Sequence, residues 1–265
     1  MQIYIYGIID SHYRIDGSIA GLGGANVYNI SYRDIGATAS NLNEELKNIT
    51  SDRALEHEGV VERLMEHFTV LPVRFLTIFN REEDVISMMK EHYRDFKENL
   101  SRLCDKMEFG IKVIWPADTI KKRIIAAFNR DNSDVSVSAD SAAKIFLKEK
   151  LEKYSIEKEF KEEADRCISV VDERFNQIAA EKKLQKLQTE KLLLNAAYLV
   201  EKEKQDNFKQ AFEQLKSATG DLEFLFSGPW PPYNFISLSR KLYMPKDFDG
   251  TDIFDARSAG NQGRR

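Results

Sequence analysis

The sequence predicts an α+β protein of two domains, and three observations carry the prediction. Stretches that alternate apolar and polar residues recur between stretches with three- and four-residue apolar spacing, which are the periods of strands and helices. A polar segment with neither period, residues 129–138, separates two such series. With 265 residues, 42% hydrophobic and 31% charged, the chain can fill two medium-sized cores beneath a charged surface. The expected units are 1–130 and a smaller one over 139–244. Pro245, Gly250, Gly260 and Gly263 argue against regular structure in a tail over 245–265.

The first element is a strand in which Ile3, Ile5, Gly7 and Ile9 share one face and Gln2, Tyr4, Tyr6 and Ile8 the other. Two largely apolar faces mark a central strand covered on both sides. After the loop of Gly21, Gly23 and Gly24, residues 27–32 read as a second strand and 35–39 as a third. Ser51 can cap a helix striped by Leu55, Val61, Leu64, Met65 and Phe68, and Pro72 then lies early in a strand. Glu82, Glu83 and Asp84 suit the positive end of a next helix, whose core residues are Val85, Met89, Phe96, Leu100 and Leu103. Met107, Phe109, Ile111, Val113 and Trp115 alternate with wetter positions in a strand that Pro116 ends. Asp118 can cap the helix that follows. This order of strands and helices resembles a modified ferredoxin-like sandwich.

Beyond the polar segment, residues 140–187 are dense in Lys and Glu and hold neither Gly nor Pro. Phe160, Ala164, Cys167, Val171, Phe175 and Ile178 form a narrow apolar seam, which predicts a long helical arm. Two uses of the seam stand open: packing on its own domain, or a coiled-coil contact with another chain. Residues 192–200 and 222–226 read as strands around a short helix bearing Phe208, Ala211, Phe212 and Leu215.

Chemistry-bearing motifs end in near misses. His57-Glu58 opens like the zinc-protease HExxH, but Val61 occupies the second histidine position. The four histidines and two cysteines have no metal-ligand spacing, so no metal is expected. Gly21-Leu22-Gly23-Gly24 does not spell a dinucleotide fingerprint, and no glycine is followed by lysine as a Walker A loop requires. No cofactor and no catalytic residue is expected, leaving an enzyme without a linear motif as the remote alternative. The net charge of −4 arises from 39 basic and 43 acidic residues mixed along the chain, which disfavours nucleic acid and membrane lipid as partners. Cys104 and Cys167, far apart and without an apolar leader, suit a reducing cytoplasm. His57 and Glu58 read as a local structural pair.

Gly228-Pro229-Trp230-Pro231-Pro232-Tyr233-Asn234-Phe235 interleaves three prolines with three aromatic rings, a stiff corner that must pack against something. It resembles the GPWPPYxF block of the gas vesicle accessory proteins F and L, one homologous family. Three further blocks match in order: Tyr4-Ile5-Tyr6-Gly7-Ile8; His57-Glu58 running into Leu71-Pro72-Val73-Arg74-Phe75; and Leu194-Asn195-Ala196-Ala197-Tyr198-Leu199-Val200. The family usually continues LPVRF with Gly-Thr, whereas this chain has Leu76-Thr77. A glycine there suits a positive-φ bend or a close backbone approach, so altered local geometry is expected at Leu76.

The resemblance implies a non-enzymatic cytoplasmic protein associated with gas vesicles, which contacts the main hydrophobic shell protein and other accessory proteins during nucleation or early growth. It also implies the ferredoxin-like first domain. A coiled-coil scaffold that never meets the shell protein is the alternative. The candidate protein-contact residues are Arg74, set against a structural ion pair in a strand, and Trp230 and Tyr233, set against a plain core corner.

Overall fold

The computed structural model describes residues 2–11, 15, 19–42, 50–131, 142–187 and 189–239. It is a mixed α+β structure with two antiparallel sheets and, among the described residues, six α-helices. The chain forms two compact units, Met1–Asp105 with Trp230–Arg265, and Lys106–Pro229. The tail over 245–265 lies outside the described residues.

In the first unit, β1 (Gln2–Ile9) pairs antiparallel with β3 (Ile35–Leu42) on one side, and with β4 (Val70–Pro72) and β5 (Ile78–Phe79) on the other. Outermost beside β3 is β2 (Tyr28–Tyr32), giving the order β2-β3-β1-β4. The central place expected for β1 is therefore correct, and seven of its eight residues are buried. Its alternation is broken, however. Ile5 faces Ala39 while Gly7 faces Thr38, so one extra residue, Tyr6, bulges from the ladder. Tyr4 and Tyr6 consequently join Ile9, rather than Ile8, in one core cluster with Val60, Val61 and Leu64. Gly7 follows the bulge because a Cβ there would come within 2.8 Å of Val70 and 2.9 Å of the Leu71 carbonyl.

Helix α1 (Ser51–Met65) supplies Val60, Val61 and Leu64, and its cap is Thr50 rather than Ser51, the Thr50 hydroxyl accepting from the Arg53 amide at 3.3 Å. Leu55, expected in the stripe, is 65% exposed. The second expected helix is two: α2 (Glu82–Glu91) and α3 (Tyr93–Leu103), with His92 between them at φ −101°, ψ 13°. Their apolar spacing runs across the break, so periodicity alone could not reveal it.

The second unit is built on a sheet ordered β7-β8-β6-β9, from Ala179–Lys186, Leu192–Glu201, Lys106–Ile114 and Glu223–Trp230 respectively. Here the sequence expectation needs correction. Strand β6 was expected to close a first domain over 1–130, yet it pairs with β8 through nine residue pairs. Helix α4 (Ala117–Asp131) packs on α5 (Ala142–Glu173). The division thus falls after Asp105 and after Pro229 rather than within 129–138, of which 132–138 lie outside the described residues.

The arm also needs correction. Its helix stops at Glu173, and 179–186 is the edge strand β7, whose Lys182 and Lys186 reach back to Asp172 and Asp165. Pairing with β8 overrides the helix-favouring Lys-Glu composition, and lysines are common protectors of sheet edges. The seam from Phe160 packs within its own unit. The Phe160 ring lies tilted 4.8 Å from Trp115, and Phe175 lies 4.7 Å from Phe208 and 5.0 Å from Tyr198. Helix α6 (Gln205–Ala218) adds Phe208 and Phe212 to this aromatic core. At the end of β9, Gly228 has φ 111°, and a Cβ there would meet the Glu108 carbonyl at 2.7 Å. No described helix is long and apolar enough to cross a membrane.

Candidate protein-contact site

His57 reaches the core from the second turn of α1 and is 1% exposed. Its Nε2 lies 3.2 Å from the Val73 carbonyl, which can only accept, so Nε2 carries the proton. Nδ1 must then accept from the Tyr4 hydroxyl at 2.8 Å. Burial pushes the Tyr4 phenol well above its ordinary pKa, which keeps that proton in place. The same Tyr4 oxygen accepts the Leu76 amide at 3.1 Å. Tyr6, stacked 5.6 Å from the His57 ring, engages Ser40 Oγ at 2.8 Å and accepts from the Leu22 amide at 2.8 Å. His57 is therefore a structural residue, tied to Tyr4 and Val73, with both ring nitrogens engaged.

These bonds fix the turn after β4. The Arg74 carbonyl accepts from the Thr77 amide at 3.2 Å and the Thr77 hydroxyl at 2.7 Å. Leu76, third in this four-residue turn, has φ 67°, as a type II turn requires. At this position the chain has the positive-φ bend that suits glycine, and a leucine is held in it.

Arg74 projects from this turn rather than from a strand, because β4 ends at Pro72. Its side chain is exposed, and among the described residues no ion pair involves it. Phe75 beside it is half-buried, 6.5 Å from Tyr4 and 5.9 Å from His57. Tyr233, half-buried, opens the 3₁₀ turn Tyr233–Phe235. Trp230, half-buried, precedes it at the end of β9. The outcome is an exposed cation beside the half-buried ring of Phe75, with no described cluster of three or more His, Cys, Asp or Glu that could hold a metal.

The sequence reading missed a polar ledge on α3. Asp95, Asn99 and Arg102 follow one another at four- and three-residue steps, so they line one helix face. Asn99 donates to the Ser237 carbonyl at 2.6 Å and accepts the Ser237 amide at 3.0 Å. Asp95 accepts the Ser239 amide at 2.9 Å and its hydroxyl at 2.7 Å, and those bonds hold the Asp95 carboxyl below its ordinary pKa. Arg102 donates to the Phe235 carbonyl. This ledge fastens the chain immediately after the proline-aromatic block. The only sequence signal was the polar spacing itself, which any solvated helix face also shows.

Fold and site together define a mixed α+β protein with an exposed arginine on a turn tied to a buried tyrosine and histidine. Residues 2–237 match the family described as gas vesicle synthesis protein GvpL/GvpF, and the chain belongs to that family. It is 26% identical over 242 residues to gas vesicle protein F2 of Halobacterium salinarum, covering 89% of this chain and 93% of that protein. The crystal structure of the gas vesicle protein GvpF from Anabaena superposes with a TM-score of 0.76 at 22% identity, covering 90% of this chain and 99% of that one. The GvpF structure from Microcystis aeruginosa gives 0.75, also at 22% identity, covering 89% and 99%.

Proposed function

We propose that this chain is a non-enzymatic accessory protein of gas vesicle assembly, working in the cytoplasm at gas vesicles and binding the main hydrophobic shell protein together with other accessory proteins. Membership of the GvpL/GvpF family across residues 2–237 is the observation that carries the reading. A shell subunit with a gas-facing apolar wall would aggregate in water, and an adaptor that covers this surface during nucleation or early growth removes the hazard. The first unit is the platform, with Arg74 as the leading anchor and Trp230 and Tyr233 as secondary anchors. An exposed arginine on a rigid turn beside aromatic groups has the composition of an interface hot spot. The strand order β2-β3-β1-β4 supports the ferredoxin-like reading of this unit.

The test is co-purification of the full chain with the shell protein, comparing wild type, Arg74→Lys and Arg74→Glu. A specific interface of about 1,200–2,000 Å² centred on Arg74 should lose at least about tenfold in affinity on charge reversal and less with lysine. If Arg74→Glu binds as well as wild type, the anchor assignment is wrong. If wild type fails to capture the shell protein, the adaptor role is wrong.

A further inference from the structure

Helix α5 carries two apolar faces, and only one is covered. Taking about 100° per residue, Phe160, Ala164 and Val171 lie within about 40° of one another and form the buried seam. Leu147, Leu151 and Tyr154 lie within about 60° of one another, some 120–180° from Phe160. They are 58%, 58% and 65% exposed, and Phe146, about 80–140° round the helix from them, is also 58% exposed. These are large apolar groups in the first half of a 32-residue helix, so the stripe is not a by-product of a short frayed turn.

The charges around the stripe are one-sided. Lys148 and Lys150 border it on its two flanks, and among the described residues neither enters an ion pair, although the Lys150 ammonium sits 4.8 Å from the centre of the Phe146 ring. Glu149 lies round the helix with the buried seam, and Glu152 also points away from the stripe. Glu157, at the lower end, is engaged with Lys153 at 3.9 Å.

We infer that the stripe Leu147–Leu151–Tyr154 is a docking seam for an amphipathic helix of a partner protein whose own apolar stripe is bordered by carboxylates. The four- and three-residue spacing is that of coiled-coil core positions, which receive a helix rather than a strand or a flat surface. So few side chains fall short of a standard interface of about 1,200 Å², so they act as anchors for one helix. Basic flanks select the partner's sign. A second copy of this chain would bring Lys148 and Lys150 against lysines of its own, which disfavours self-pairing.

The experiment uses the full chain and two synthetic three-heptad helices with leucine at both core positions, one with glutamate and one with lysine at the flanking positions. Fluorescence anisotropy at low salt should show the glutamate-flanked peptide binding at least about tenfold more tightly, with the difference shrinking as salt rises. Leu151→Glu should abolish binding of that peptide, and Lys148→Glu with Lys150→Glu should reverse the preference. All three positions are exposed, so circular dichroism should remain that of wild type. Equal binding of both peptides, binding of neither, or no response to Leu151→Glu overturns the inference. Concentration-dependent self-association that Leu151→Glu removes would also overturn it, naming a second copy as the occupant. The stripe and Arg74 are probed by separate variants and separate ligands, so failure here leaves the shell-protein reading standing.

Discussion

The hydroxyl of Tyr4 accepts the amide of Leu76 at 3.1 Å, and Leu76 holds φ 67°. A leucine in this region carries a strain of about 1–2 kcal/mol that glycine would not. The strain is tolerated because both ends of the turn are tied down, at the Arg74 carbonyl and at the Ile5 amide, which donates to the Thr77 carbonyl at 2.9 Å. Leucine also adds apolar contact, since its half-buried side chain packs on the core cluster of Tyr4, Tyr6 and Val61.

Substitution at Leu76 should separate backbone strain from packing. Leu76→Gly relieves the positive φ but loses the side-chain contact and gains unfolded-state freedom, so urea unfolding should place it within about 1 kcal/mol of wild type. Leu76→Val keeps an apolar group but puts a β-branched residue at positive φ, and should cost about 2 kcal/mol. Equal costs for the two variants would mean that the turn relaxes out of its bend.

Much of this fold is legible in the sequence, and the misplaced domain division and the over-long arm share one cause. Strand β1, the hairpin of β2 and β3, helix α1 and strand β6 follow from local periodicity and breakers. Pairing is not local. Nothing in 106–114 says that its partner is 192–201 rather than a strand of the first unit, and nothing in 179–186 says that β8 will draw a lysine-rich stretch into an edge strand. The site shows the same split. Arg74 and Tyr233 stand out in the sequence by residue type and by the blocks that hold them, whereas Asp95 and Asn99 act on residues more than 130 positions away, across a separation no period can span.

Asp34 should report the docking of the β2–β3 turn on α3 through acid and salt sensitivity. Lys97, at 2.8 Å, and the Tyr93 hydroxyl, at 2.5 Å, hold its carboxyl at about 2 against an ordinary 3.8. A depressed carboxylate adds stability that is fully present above its unfolded pKa, so this contribution is lost as pH falls from about 4 towards 2. The group is half exposed, so solvent screening keeps the effect small. Low-salt urea midpoints should fall more steeply over that window in wild type than in Asp34→Asn, and the difference should vanish in high salt. A steeper fall in the variant would contradict the assignment.

Asn99 should control how firmly the segment after the proline-aromatic block is held. It is 3% exposed, donates to the Ser237 carbonyl, accepts from the Ser237 amide and also accepts from Arg102 at 3.0 Å. Asn99→Ala removes all of these, and should cost about 2 kcal/mol because part of the freed backbone can reach water. Asn99→Asp should cost more. Its second oxygen would replace a donor facing the Ser237 and Asp95 carbonyls at 2.6 and 2.8 Å, leaving acceptor against acceptor. Hydrogen exchange should quicken by at least about tenfold at the amides of Ser237 and Ser239 in both variants. Unchanged exchange would mean that Pro231, Pro232 and Phe235, all buried, hold the segment by packing alone. The same ledge decides how the first unit must be prepared. A fragment ending at residue 130 would strip α3 of Phe235, Ser237 and Ser239, and would carry β6 without β8. It should therefore be less stable than a chain that joins 1–105 to 230–239 through a short linker, a comparison that thermal unfolding of the two can make directly.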